Sequence, residues 1–122
     1  MTRYKAIVAY DGSNFFGFQV QTKSGVEVQR TVQGELNKAV NQMAKQPVTP
    51  IKVVGASRTD TGVHAFGQVV HFDLPFDINP VGVSKGLNTL LPRDILIKAV
   101  TKVSDDFHAR FSTHAKRYFY RV

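Results

Sequence analysis

Ile51-Lys52-Val53-Val54-Gly55-Ala56-Ser57-Arg58-Thr59-Asp60-Thr61-Gly62-Val63-His64-Ala65-Phe66-Gly67-Gln68-Val69-Val70-His71-Phe72-Asp73 is the stretch that decides how this chain folds. Its first part, Ile51 to Ala56, is an apolar run of strand length. Its last part, Gly67 to Asp73, sets Gln68, Val70 and Phe72 against Val69, His71 and Asp73, the period-two alternation of a strand. Between the two, Gly55 to Ala65 collects a cation, hydroxyls, a carboxylate, a glycine and an imidazole in one short turn. A polar loop between rigid strands is where binding and catalytic groups concentrate. Arg58 and Asp60 are two apart, so in extended backbone they point to the same side. A guanidinium that close lowers the Asp60 pKa and keeps the carboxylate ionised. An ionised, oriented carboxylate serves as nucleophile or general base. An ordinary strand-to-strand turn with a surface ion pair uses the same residue types, so the loop's composition leaves both readings open.

Upstream, Arg3 to Tyr10 reads as a strand with Tyr4, Ala6, Val8 and Tyr10 on one face and Lys5, Ile7 and Ala9 on the other, ended by Asp11-Gly12. Phe15, Phe16 and Phe18, with Gln19 and Gln21, either form a surface suited to flat partners such as bases or tuck partly under the sheet. Val28, Val32, Leu36, Val40 and Met43 recur at helical spacing, which turns Gln29, Arg30, Gln33, Lys38, Asn41 and Lys45 outward. Two starts fit that helix: a capping box of Ser24 with Glu27, or Thr31 capping a shorter one. Gly34 within the pattern weakens it by about 1 kcal/mol, and Pro47 and Pro50 close it.

Downstream, Asn79-Pro80 is a cap followed by a first-turn proline. Val83, Leu87 and Leu90 give that second helix a buried edge, Gly82 and Gly86 make it dependent on packing, and Pro92 stops it. Asp94 to Val103 is a further strand, Phe107 to Ser112 a basic-aromatic segment, and Lys116 to Val122 a last strand in which the chain stops. Strand, helix, strand, strand, helix, strand is the ferredoxin-like β-α-β-β-α-β order, an α+β fold whose antiparallel sheet carries helices on one face.

Composition sets outer limits. At 122 residues the chain holds one domain. It has no cysteine, which removes disulfides, thiol catalysis and Cys-ligated zinc. His64 and His71 without a third His or a spaced carboxylate make a poor metal site, and His71 is expected on a solvated strand face. No apolar run reaches membrane-spanning length and no signal pattern opens the chain, so a cytoplasmic protein is the default. Sixteen Lys and Arg against nine Asp and Glu leave a formal charge of +7, which favours a polyanionic partner.

Arg58-Thr59-Asp60 followed by Gly62-Val63-His64-Ala65 closely resembles the signature loop of the tRNA pseudouridine synthase A family. The family's usual Gly before the Arg is Ser57 here, and its Ala or Ser after the Asp is Thr61; both replacements are small. Tyr10-Asp11-Gly12 with Gly17-Phe18-Gln19-Val20-Gln21, and Phe107-His108-Ala109-Arg110-Phe111, match the same family in the same order. The resemblance implies an isomerase that converts uridine to pseudouridine in the tRNA anticodon stem-loop, at positions 38 to 40, with no metal or organic cofactor. It makes Asp60 the essential carboxylate and Arg58 the group that orients it. Tyr118 becomes the ring that stacks on the target base, with Arg110, His64 and Gln19 in the substrate-binding surface and His64 bracing the loop. It also implies a homodimer whose subunits each contain two ferredoxin-like halves. On that reading residues 1–122 are the N-terminal half, cut within its last strand, inactive alone and without the C-terminal half that completes the cleft. The alternative is a non-catalytic RNA-binding half.

Overall fold

Alternation along the first strand decides the layering. The structure, a computed structural model, describes residues 1–14, 22–23, 26–27, 31–56 and 65–110. Strand β1, Thr2–Tyr10, buries Tyr4, Ala6, Val8 and Tyr10 on one side, as its period-two pattern predicts. A single 3-10 turn, Gly12–Asn14, follows, with Ser13 N–H donating to the Asp11 carboxylate at 3.0 Å. Two short strands, β2 (Thr22–Lys23) and β3 (Val26–Glu27), pair as a small separate ladder. Glu27 therefore lies opposite Thr22 in a strand pair and is not part of a capping box. Helix α1 is Val32–Met43, the shorter of the two expected forms: Thr31 Oγ1 accepts from Gly34 N–H at 3.1 Å, so the glycine sits in the first turn.

Strand β4 (Val54–Gly55), strand β5 (Ala65–Leu74), helix α2 (Pro80–Leu90) and strand β6 (Ile95–Val103) complete the described elements. Asn79 caps α2 through Val81 N–H at 2.9 Å, with Pro80 in the first turn. The sheet order is β4-β5-β1-β6, antiparallel at every pair. That is the ferredoxin-like order the element sequence predicts, with the first strand between the third and the fourth of its four. One core joins Tyr4, Ala6, Val8, Val70, Phe72 and Leu74 of the sheet to Leu36, Val40, Val83 and Leu87 of the helices. The fully buried Tyr4 hydroxyl donates to Ile78 C=O at 3.0 Å and accepts from Ile78 N–H at 2.9 Å, so its polar end is satisfied while its ring meets Phe72. Gly86 marks a close approach of the helices, because a Cβ there would run into the Met43 methyl.

Two expectations fail for a common reason. Gln33 and Asn41 do not face solvent: Gln33 is buried, and both donate side-chain hydrogen bonds to the chain that follows α1. His71 is not on a solvated face, since it is only 4% exposed. After β6 the chain folds back over the side of the sheet away from α1 and α2, where Ala109 N–H donates to His71 Nδ1 at 2.9 Å. The rings of Phe107 and His108 stand edge-on to the imidazole. Arg3 fastens the same segment. Its Nε and Nη2 donate to the Asp73 carboxylate at 2.8 and 3.0 Å, and its Nη1 donates to the carbonyls of Phe107 at 2.7 Å and Asp105 at 3.0 Å. Periodicity, helical or period-two, assigns a residue to a face of its own element but cannot tell that another segment will cover that face.

The buried imidazole has a pH consequence. Desolvation, then the charges of Arg3 and His108, push the His71 pKa from 6.5 down to about 4, with Asp73 opposing. The folded state then binds fewer protons than the unfolded state between these values, so stability is intact above about pH 6.5 and falls as the pH drops towards about 4. Asp73, held ionised chiefly by its hydrogen bond to Arg3, loses its contribution only at lower pH, below the ordinary carboxylate value of about 3.9. A denaturation series across this range should show the slope in the wild-type protein and its loss in His71→Gln. An unchanged slope in the variant would remove His71 as its source.

Candidate functional site

The two ends of the signature loop are fixed by backbone pairing. On the incoming side, Val54 and Gly55 face His71 and Val70 across the β4–β5 ladder, and Ala56 N–H donates to Val69 C=O at 2.8 Å. On the outgoing side, Ala65 faces Tyr10 of β1. The loop thus leaves the sheet from the edge strand β4 and rejoins it at β5, beside the end of β1. Arg58, Asp60 and His64 themselves lie outside the described residues, as do Gln19 and Tyr118.

The expected strand Ile51–Ala56 is paired as a strand only at Val54–Gly55. Ahead of it the backbone of Ile51 to Val53 bonds to helix side chains instead. Asn41 Oδ1 accepts from Ile51 N–H at 2.7 Å and Asn41 Nδ2 donates to Ile51 C=O at 2.8 Å. One turn earlier in α1, Asn37 Oδ1 accepts from Val53 N–H at 2.8 Å. One turn earlier again, Gln33 Nε2 donates to Val53 C=O at 2.6 Å. Residues four apart share a helix face, so Gln33, Asn37 and Asn41 present a column of amides that takes the place of a neighbouring strand. Sequence reasoning misses this column because it sorts amides as outward-facing; the regular spacing of four is the available signal.

Both partners of β1 carry a bulge at the loop end. On β5, Phe66 and Gly67 together oppose Ala9, because Val8 faces Gln68 and Tyr10 faces Ala65. On β6, Lys98 is the extra residue between Ile97, which faces Val8, and Ala99, which faces Ile7. Bulges bend a strand and re-aim its side chains. The two are tied together, since Lys98 Nζ donates to Phe66 C=O at 3.0 Å. Phe66 is left 84% exposed beside Leu96 at 52%. The pair lines an open hollow of about 380 Å³ with Ala9, Tyr10, Asp11, Arg93 and Asp94. The hollow is next to the residue where the signature loop ends. Asp11 and Asp94 lie in its wall, joined by the hydrogen bond from Asp11 N–H to Asp94 C=O at 2.9 Å.

Arg110 is half-buried at the end of the segment held by His71 and Arg3, so its backbone is anchored to β5 through Ala109. His71, a metal-ligand candidate by residue type, has its Nδ1 occupied by that amide. Among the described residues no group of three or more His, Cys, Asp or Glu side chains is arranged to hold a metal ion, and no helix is long and apolar enough to cross a membrane.

Comparison with known proteins adds to this geometry. The chain is 74% identical over 122 residues to tRNA pseudouridine synthase A of Leuconostoc mesenteroides subsp. mesenteroides, covering 100% of this chain and 48% of the relative. It is 60% identical over 121 residues to the protein of that name from Lactiplantibacillus plantarum, covering 99% of this chain and 44% of the relative. With that of Limosilactobacillus fermentum it shares 55% over 122 residues, covering 100% of this chain and 45% of the relative. The chain spans about half the length of the curated relatives it matches. Residues 6–112, which run from β1 through the signature loop to the segment folded over His71, match the tRNA pseudouridine synthase family model, and the chain belongs to that family.

Proposed function

We propose that the full-length protein isomerises uridine to pseudouridine in the tRNA anticodon stem-loop, at positions 38 to 40, and that residues 1–122 are its N-terminal, carboxylate-bearing half. The observation that carries this reading is the Arg58-Thr59-Asp60 loop, in a chain of this family, with both its ends tied into one sheet. Pseudouridine formation breaks the bond from ribose to the uracil nitrogen, turns the base and rejoins it through carbon, with loss of the hydrogen that carbon carried. Asp60 supplies the charge, as nucleophile or base, and Arg58 keeps it ionised and aimed. No cofactor enters this reading. A target base within a stem must leave its stack, which costs a few kcal/mol. Tyr118 is the proposed stacking surface for it, and Arg110, His64 and Gln19 contribute to holding the RNA or the loop. The protein works in the cytoplasm as a homodimer, and the 122 residues alone, lacking the second wall of the cleft, are inactive.

Tritium release from tRNA labelled at the uridine C5 position separates this enzyme from an RNA-binding half. Release by the full-length protein supports the proposal, and salt-sensitive binding with no release supports the binder. Stacking on an aromatic ring is worth about 1–3 kcal/mol, so Tyr118→Ala should slow release about 5- to 150-fold while Tyr118→Phe keeps most of it. Equal loss in both variants would give the hydroxyl a chemical part; no loss in either would remove Tyr118 from the site.

A further inference from the structure

We propose that Asn41, Asn37 and Gln33 are positioning residues for the signature loop, holding the backbone that leads into it at a fixed height and register. The inference rests on the functional reading above, since it concerns where Asp60 is delivered. β4 is two residues long and is the outermost strand in the sheet order, so strand pairing alone supports the loop's incoming side over a short span. Ahead of it, the column of helix amides meets the backbone N–H and C=O of Ile51 and of Val53, all four at 2.6 to 2.8 Å. Asn41 is steadied in turn by donating to Asn37 C=O at 2.7 Å. Gln33 and Val53 are buried, so the innermost of these bonds is screened from water. Arg58 follows Val53 closely in the chain, with only Val54 to Ala56, paired to β5, and Ser57 between them. Misplacing a reacting group by about 1 Å can cost about 10²-fold in rate even when the mutated residue is remote.

The fold supplies a matched control. Asn88 in α2 makes the same paired bonds to Ile97 of β6, accepting from its N–H at 2.8 Å and donating to its C=O at 3.1 Å. The chain of β6 does not run into the signature loop; its tie to that region is the Lys98 bond to Phe66 C=O, which Asn88 does not make. Asn41→Ala and Asn88→Ala therefore remove the same pair of bonds to a following segment, Asn41→Ala losing in addition its bond to Asn37 C=O, and both should lower the unfolding midpoint of the full-length enzyme by comparable amounts. Only Asn41→Ala should lower kcat, by about tenfold or more at saturating tRNA, with KM within about threefold. A milder pair guards against misfolding. Asn37→Ala loses the acceptor for Val53 N–H and should also reduce kcat, whereas Asn37→Asp keeps an acceptor there and should restore most of it. Amide exchange at residues 51–56 should accelerate in Asn41→Ala and stay at the wild-type rate in Asn88→Ala. Equal kcat losses in Asn41→Ala and Asn88→Ala, or a loss confined to KM, would overturn the inference in an active enzyme. A wild-type enzyme that forms no pseudouridine would instead overturn the functional reading, and this inference with it.

Discussion

Replacing Asp60 by asparagine in the full-length protein is expected to stop pseudouridine formation while tRNA affinity stays within about threefold, because phosphate contacts made by Lys and Arg dominate that affinity. The change keeps the side chain's size and removes its charge. A carboxylate that transfers a proton contributes about 10²–10⁴-fold, and one that forms a covalent intermediate cannot be replaced by an amide. Tritium release under single-turnover conditions, alongside a filter-binding titration at matched salt, measures the two quantities separately. Release at near wild-type rate by Asp60→Asn would remove the carboxylate from the reaction. Loss of binding together with release would make it a folding or docking residue. The residue order of the loop supports the expected outcome, as does the strand pairing that fixes both loop ends to one sheet.

The second large effect is structural and lies on the strand that leaves the loop. Phe72 and Phe66 both belong to β5, yet Phe72 is 2% exposed and packs its ring on Tyr4, while Phe66 is 84% exposed. Phe72→Ala opens a cavity between sheet and helices and should destabilise the protein by about 3–5 kcal/mol. Phe66→Ala removes a ring already in water and should stay within about 0.5 kcal/mol. Urea denaturation of the two variants gives the comparison. Similar midpoints for both would mean that β5 does not pack through its even-numbered central positions. That packing matters for function because β5 carries the outgoing end of the loop.

Much of the fold is legible in the residue pattern. Periodicity places Tyr4, Ala6, Val8 and Tyr10 on the buried face of β1, and Asn79-Pro80 marks the start of α2 to the residue. The element order alone implies the ferredoxin-like sheet that the pairing bears out. Contact between remote segments is what the pattern does not carry. His71 reads as solvent-facing because nothing near it in sequence reveals that Ala109 closes over it. Gln33 and Asn41 read as outward because hydrophobic periodicity sees apolar stripes and has no rule for amides that serve as a strand's hydrogen-bonding edge. Ile51–Val53 looks like strand for the related reason that apolar composition reports burial; its backbone partners are side chains of α1. The bulges at Phe66-Gly67 and Lys98 are likewise invisible, since a strict alternation puts Phe66 on the buried face. For the candidate site the order is reversed. Arg58, Asp60, His64, Gln19 and Tyr118 are picked out by motif, and the described residues supply the frame around the loop and the anchor of Arg110.

The most direct test of the central claim is to map pseudouridine in an unmodified tRNA transcript after incubation with the full-length protein. Carbodiimide adducts that stop reverse transcription locate each site. Pseudouridine confined to positions 38 to 40, and absent when Asp60→Asn replaces the wild-type protein, is the expected result. A transcript without pseudouridine, or one modified outside the anticodon stem-loop, would contradict the proposed function.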